Sequence, residues 1–226
     1  MPSTSEVTVD GVVYPTLTEA LANIPAGGTV TLTEDAASVG CKAVSGSDFT
    51  IDLNGHGMLI ENPTTGSPGT ETLGFQLLKG SKVTFKNGVL TSEDAKILIQ
   101  NYCDLTLDNC KLIGTPTNLY VLSNNFGNVV LKNGTEIIAE GNNVAFDLYY
   151  GMSKVYDDGV TVTIADDSVK IKGRIEYGKA DRADAALFAE RCKLITPVGY
   201  SLEIPEGYEW EDNGDGTQIL KAKAAA

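Results

Sequence analysis

Arginine and histidine are nearly missing from this chain: among 226 residues the only arginines are Arg174, Arg182 and Arg191, and the only histidine is His56. A lone histidine leaves a zinc site without its usual ligand set, and Cys41, Cys103, Cys110 and Cys192 include no pair at metal-ligand spacing. Basic side chains are outnumbered, 17 against 30 acidic, for a formal charge of -13 that repels nucleic acid and anionic membrane surfaces. No apolar run reaches the roughly 18 residues that a membrane-spanning helix needs. The opening "MPSTSEVTVDGV" has neither the basic region nor the apolar stretch of a secretory signal. The expected site of synthesis is therefore the cytoplasm, where thiols stay reduced and act as small buried apolar groups. A linker between independent halves is also lacking. Its best candidate, "NPTTGSPGTETLG" from Asn62 to Gly74, falls inside a repeating region and reads as a loop excursion.

What the chain has is a repeated phrase. "KVTFKNG" at Lys82 is echoed by "DLTLDNC" at Asp104 and "NVVLKNG" at Asn128, more loosely by "TVTIADD" at Thr161, and at greater length by "FTIDLNG" at Phe49. From Phe85 to Leu107 is 22 residues, from Leu107 to Leu131 is 24, and from Leu131 to Ile164 is 33 because of an insertion. A short strand precedes each copy ("FQLL", "ILIQ", "YVLS", "AFDL") and another follows it ("VLTS", "KLIG", "EIIAE", "VKIKG"). Three alternating strands per repeat at a near-constant period predict an all-β solenoid of stacked triangular coils joined by parallel pairing. Val83 and Phe85, Leu105 and Leu107, Val129 and Leu131, and Val162 and Ile164 supply its inner column. Asn87, Asn109, Asn133 and Asp166 occupy the bend between second and third strands, where a left-handed residue is needed, and form a structural turn ladder. Beside them Lys86, Asp108 and Lys132 stack with alternating sign. A leucine-rich repeat is the competing fold, but its helical half-repeat with paired leucines is absent.

This pattern resembles the right-handed parallel β-helix of the pectate-lyase-like superfamily, over roughly Gly28 to Gly173. The entry segment "YPTLTEALANIPAGGTVTLTED", Tyr14 to Asp35, is similar to the N-terminal cap of β-helix proteins on bacterial surfaces and bacteriophage particles. A short helix around Thr16 to Ile24 would cover the open end of the column, with Gly27-Gly28 turning the chain into the first coil. The expected division is a cap at 1–27, the β-helix at 28–174, and a C-terminal cap or attachment segment at 175–226. That last part holds a helix in "DRADAALFAER", Asp181 to Arg191, and a hairpin turned at Asn213 to Gly216.

The resemblance also implies chemistry to test. Gly55-His56-Gly57 matches one motif of the polygalacturonase branch, yet Asn-Thr-Asp is absent, the Asp-Asp pairs at Asp157 and Asp166 follow instead of preceding it, and "RIE" at Arg174 replaces the last motif. The lyase branch needs acidic calcium ligands and an arginine base, and no arginine is expected in a coil whose neighbours present an acidic cluster on the same sheet face. "EDNGDGT", Glu211 to Thr217, has a calcium-loop flavour but lacks the later bidentate Glu and suits a tight turn. "NGT" at Asn133 matches a glycosylation acceptor that the turn ladder already explains. The expectation is no catalytic residue, no cofactor and no metal. The insertion "LYYGMSKVYDDG", Leu148 to Gly159, is richer in aromatic and soft apolar surface than a solvated loop requires, making Tyr149, Tyr150, Met152 and Tyr156 the candidate contact site.

Two function classes follow. The first is a non-enzymatic structural protein, made in the host cytoplasm and carried on a bacteriophage virion as a capsid decoration, head-fibre or cement component. Its partner would be the major capsid protein or another virion protein, engaged through one end or the tail after Asp181, with a homotrimer multiplying weak contacts. The alternative is a carbohydrate-binding or polysaccharide-degrading β-helix. The virion assignment is an analogy from the resemblance and from no single residue.

Overall fold

A computed structural model describes residues 7–9, 11–66, 71–151 and 158–224. The chain enters through a hairpin, β1 (Val7–Val9) and β2 (Val12–Tyr14), followed by helix α1 (Leu17–Asn23). Thr16 caps this helix, its hydroxyl accepting the Glu19 N–H at 3.2 Å, and Leu17 and Ala20 are buried. Gly27, at φ +75°, then turns the chain into β3 (Gly28–Leu32).

The repeats follow one another closely. β3 leads to β4 (Ala36–Ser38) and β5 (Cys41–Ala43); β6 (Asp48–Asp52) leads to β7 (Gly57–Ile60) and β8 (Leu73–Leu77). In the next two repeats the first pair of strands fuses, giving β9 (Lys82–Ser92) with β10 (Ile97–Asn101), and β11 (Asp104–Gly114) with β12 (Tyr120–Asn124). Then come β13 (Gly127–Lys132), β14 (Glu136–Ile138) and β15 (Val144–Tyr150), and β16 (Val160–Ile164), β17 (Lys170–Lys172) and β18 (Arg174–Lys179). Helix α2 (Ala185–Arg191) starts on Asp184, whose carboxylate accepts the N–H groups of Ala186 and Leu187. The chain ends in β19 (Cys192–Pro197) and the hairpin of β20 (Tyr208–Asp212) and β21 (Thr217–Ala222).

These strands form two sheets, and every pairing between successive repeats is parallel. The larger, fifteen-stranded sheet contains a ladder β3-β6-β9-β11-β13-β16-β19 and a second one of β4, β7, the later halves of β9 and β11, β14 and β17. The smaller sheet is β5-β8-β10-β12-β15-β18. Among the described residues the protein is thus all-β with two short helices. The strand Arg174–Lys179 crosses the expected limit at 174, and β19 pairs with β16, so pairing runs past that point into the C-terminal segment.

Register sets like on like. Val30, Ile51, Phe85, Leu107, Leu131 and Ile164 are mutually paired and essentially without solvent contact. Phe75 of the smaller sheet meets Phe85 edge to face across the interior, centroids 5.0 Å apart. The turn ladder is in place as well: Asn87, Asn109 and Asn133 lie at φ +58°, +51° and +54°, and Asn54 begins the series one repeat earlier at +50°. Asn109 donates to the Asn87 amide oxygen at 3.2 Å, whereas Asn87 and Asn133 donate to Asp52 and Asp108, one column over. Asp166 differs from the expectation: it is not among the left-handed residues, and its carboxylate instead accepts the N–H groups of Asn133 (2.8 Å) and Ser168 (3.0 Å). Gly88, next to Asn87, must be small, since a Cβ there would lie 2.4 Å from the His56 carbonyl oxygen.

Replacing Leu107 by Asp should prevent folding, because an unpaired carboxylate at a fully buried position costs several kcal/mol. Loss of the β-type circular dichroism signal is the expected result; a cooperative melt unchanged from the parent would contradict the placement of Leu107 in the core.

Candidate functional site

The insertion nominated from sequence divides in two. Met152 and Tyr156 lie outside the described residues. Strand alternation along β15 turns Tyr149 outward, 41% exposed, and Tyr150 inward, 1% exposed, so Tyr150 is a core residue and not a contact residue. Its hydroxyl meets no hydrogen-bond partner among the described residues. Tyr149 does belong to a surface cleft of 890 Å³, formed where β15 and β18 meet the Glu203–Glu206 stretch.

That cleft contains a group the sequence reading missed. In β15 and β18, Asp147 pairs with Glu176, and Arg174 stands two residues before Glu176 on the same strand. Its guanidinium donates to Glu176, and Glu176 also accepts the Tyr120 hydroxyl at 3.1 Å from β12. Asp147 is buried; its carboxylate accepts the Asn124 N–H at 2.6 Å and the Ser123 hydroxyl at 3.3 Å. Desolvation by burial, reinforced by the charge of Glu176 and opposed by the two hydrogen bonds, pushes Asp147 up to about 7. The expectation that no arginine adjoins an acidic cluster on one sheet face is therefore corrected. A one-residue irregularity between Val144 and Phe146 shifts the register so that Glu176 comes level with Asp147. A carboxyl that titrates near neutrality beside one held by Arg174 can exchange a proton or bind a polar ligand.

None of the other sequence candidates that are described lines this cleft. His56 Nδ1 stands 3.6 Å from Asp35 Oδ1, an oxygen that also accepts the Gly57 N–H, within the turn between β6 and β7. β8 of that repeat and β18 are four pairings apart, roughly 19 Å at about 4.8 Å per strand, so His56 and Arg174 share no site. Of the Asp-Asp pairs, Asp157 lies outside the described residues, and Asp158 pairs with Lys79 at 3.1 Å. In the Glu211–Thr217 stretch the carboxylates turn onto their own backbone, Asp212 accepting the Gly214 N–H and Asp215 the Thr217 N–H. Among the described residues no three His, Cys, Asp or Glu side chains are grouped to hold a metal ion. All four cysteines are free and buried, and burial pushes their thiols up to about 12, far from the reactive thiolate.

Two further asparagines are buried at the end of the smaller sheet's strands. Asn101 donates to the Asn124 side chain at 2.9 Å and to the Cys103 carbonyl at 2.9 Å, making a second, internal turn ladder. Compared with protein-family models, curated proteins and solved structures, the chain matches none.

Asp147 makes stability depend on pH. Its folded pKa lies above the unfolded value near 3.8, so the folded form holds its proton more tightly, and stability falls as pH rises through about 4 to 7. Asp147→Asn, which needs no proton, should therefore be more stable than the parent at pH 8 by an amount on the order of 1 kcal/mol or more, with the gap closing at pH 4. Denaturant melts at both pH values check this; a gap that is constant with pH would show that Asp147 is not titrating as described.

Proposed function

We propose that the three ladders wind as one right-handed parallel β-helix and that the protein serves as a non-enzymatic structural rod, attached to the outside of a bacteriophage capsid. The observation that carries the mechanical part is the unbroken parallel register from β3 to β19, in which each interior residue sits on its counterpart. Such a column transmits force along its stacked hydrogen bonds and leaves its ends and loops for docking. Charge supports the same use. A formal charge of -13 keeps many copies apart in solution before assembly. Within each molecule the opposite signs are locked together: Lys86 meets Asp52 and Lys132 meets Asp108, both at 3.1 Å, and Glu136 is bridged by Lys170 and Lys111, which hold its carboxyl below the usual range.

The cleft of Asp147, Glu176 and Arg174 favours a second reading, a carbohydrate-binding or polysaccharide-degrading β-helix. Tyr149 at its rim offers an aromatic face, and its carboxyls and guanidinium suit sugar hydroxyls. The rod reading is preferred because Asp147 is buried and accepts from Asn124 and Ser123, and Glu176 is engaged by Arg174 and Tyr120, so each carboxylate has an internal structural role.

Purified protein mixed with undecorated capsids should co-sediment at a fixed copy number per particle. Absence from the pellet, together with saturable binding to a polysaccharide that Glu176→Gln weakens, would transfer the assignment to the second reading.

A further inference from the structure

The two sheets end differently. In the larger sheet the β3-to-β19 ladder is closed at both ends by antiparallel hairpins, β1-β2 against β3 and β21-β20 against β19. Among the described residues the smaller sheet has no such cap, and neither has the second ladder of the larger sheet, which ends at β4 and β17. The first strand of the smaller sheet, β5, pairs only with β8, and the opposite edge borders a groove of 580 Å³ walled by Leu21 and Ile24, with Val39, Cys41, Val44 and Phe49 along it. Val39 and Val44 are exposed, the latter by 63%.

The edge also has main-chain capacity. Ala43 C=O accepts the Leu78 N–H at 3.1 Å, so Ala43 addresses the β8 side. Successive residues of a strand address opposite neighbours in a parallel ladder, which directs the N–H and C=O of Lys42 to the open side. Cys41 and Ala43 face inward, are smaller than Phe75 and Leu77, which they pair with, and line the groove. Lys42 points outward and is exposed, and it is the only lysine or arginine before Lys79.

We propose that this edge receives one extended segment of a partner protein, which adds as a strand beside β5, packs apolar residues toward Cys41 and Ala43, and sets a carboxylate opposite Lys42. The inference rests on the attachment reading and assigns the attaching end. Of the groove's charged residues, Lys42 and Asp48, it is Lys42 that lies on β5, so charge complementarity selects a carboxylate at the one position across from it, since opposite charges directly across strands stabilise a pair and like charges oppose it. Shape selects a single segment over a second copy of this chain. β1 and β2 continue the larger sheet two strands beyond β3, about 10 Å at the usual strand spacing, and hold another column away from β5.

The test uses the full chain and a fluorescein-labelled peptide, Ser-Thr-Val-Glu-Val-Thr-Ser, with fluorescence polarisation as the readout. Saturable binding is expected, weakened about tenfold or more when the central Glu of the peptide is replaced by Lys, a change worth about 1.4 kcal/mol per tenfold. Lys42→Glu, at an exposed position, should reverse that preference, and N-methylation of alternate peptide amides should abolish binding. No saturation up to about 1 mM, where binding is worth only about 4 kcal/mol, overturns the proposal. So does a preference that Lys42→Glu leaves unchanged, or a concentration-dependent self-association that Lys42→Glu removes, which would make a second copy the occupant. The two readings separate cleanly: co-sedimentation with capsids that Lys42→Glu does not affect keeps the attachment and rejects this edge, whereas peptide binding without co-sedimentation keeps the edge and rejects the capsid.

Discussion

A residue held in the left-handed backbone region sits at the bend between the first two ladders in four successive repeats, and the larger sheet depends on it. Asn54, Asn87, Asn109 and Asn133 all adopt φ near +50° to +58°. In β9 and β11 the bend occurs without breaking the strand, so one segment of eleven residues pairs in both ladders. Most L-residues pay roughly 1–2 kcal/mol for this conformation, while asparagine tolerates it and can use its amide locally. Here the amide reaches the neighbouring repeat instead. The same side chain thus permits the bend and ties it to the turn below, through Asp52, Asn87 or Asp108.

Once the bends are aligned, the side chains on either side have no freedom of register. The outer face of the first ladder stacks Thr29, Thr50, Thr84 and Thr106, and next to it Asp52, Lys86, Asp108 and Lys132 alternate in sign. A slip by one whole repeat would place like charges together, and a slip by one residue would turn Phe85 and Leu107 outward. The pairs are half exposed and individually weak, so their contribution is to specificity more than to stability. The hairpins then extend the first ladder of the larger sheet at both ends, while β4 and β17 of its second ladder and β5 of the smaller sheet pair on one side only among the described residues.

Much of this was legible in the sequence because stacked parallel strands repeat their chemistry at a fixed period. The apolar pairs of "KVTF", "LTLD" and "NVVL", the Asn at the bend, both helices and the final hairpin are where the pattern put them. What escaped detection has physical reasons. Asp166 follows the same spacing, but the longer connection before β17 allowed its carboxylate to cap Asn133 and Ser168 without entering the left-handed region. Tyr150 looked like loop surface because the strand was expected to end before it; β15 runs on through Tyr150 and buries it. The pairing of Asp147 with Glu176 required recognising "RIEY" as the counterpart of "AFDL", which the irregularity at Val144 and Phe146 disguised. Asn101 and Asn124 did leave a signal: each directly follows the outward polar residue of its strand, Gln100 and Ser123, which are paired with one another.

The dependence on left-handed asparagines is tested most directly at Asn109, the one whose amide meets another asparagine of the series. Comparing Asn109→Gly with Asn109→Ala in equilibrium denaturation separates backbone conformation from side-chain contact, since both lose the amide and only alanine strains the bend. The account predicts alanine to be less stable than glycine by about 1 kcal/mol or more. Equal stabilities, or alanine the more stable of the two, would contradict it.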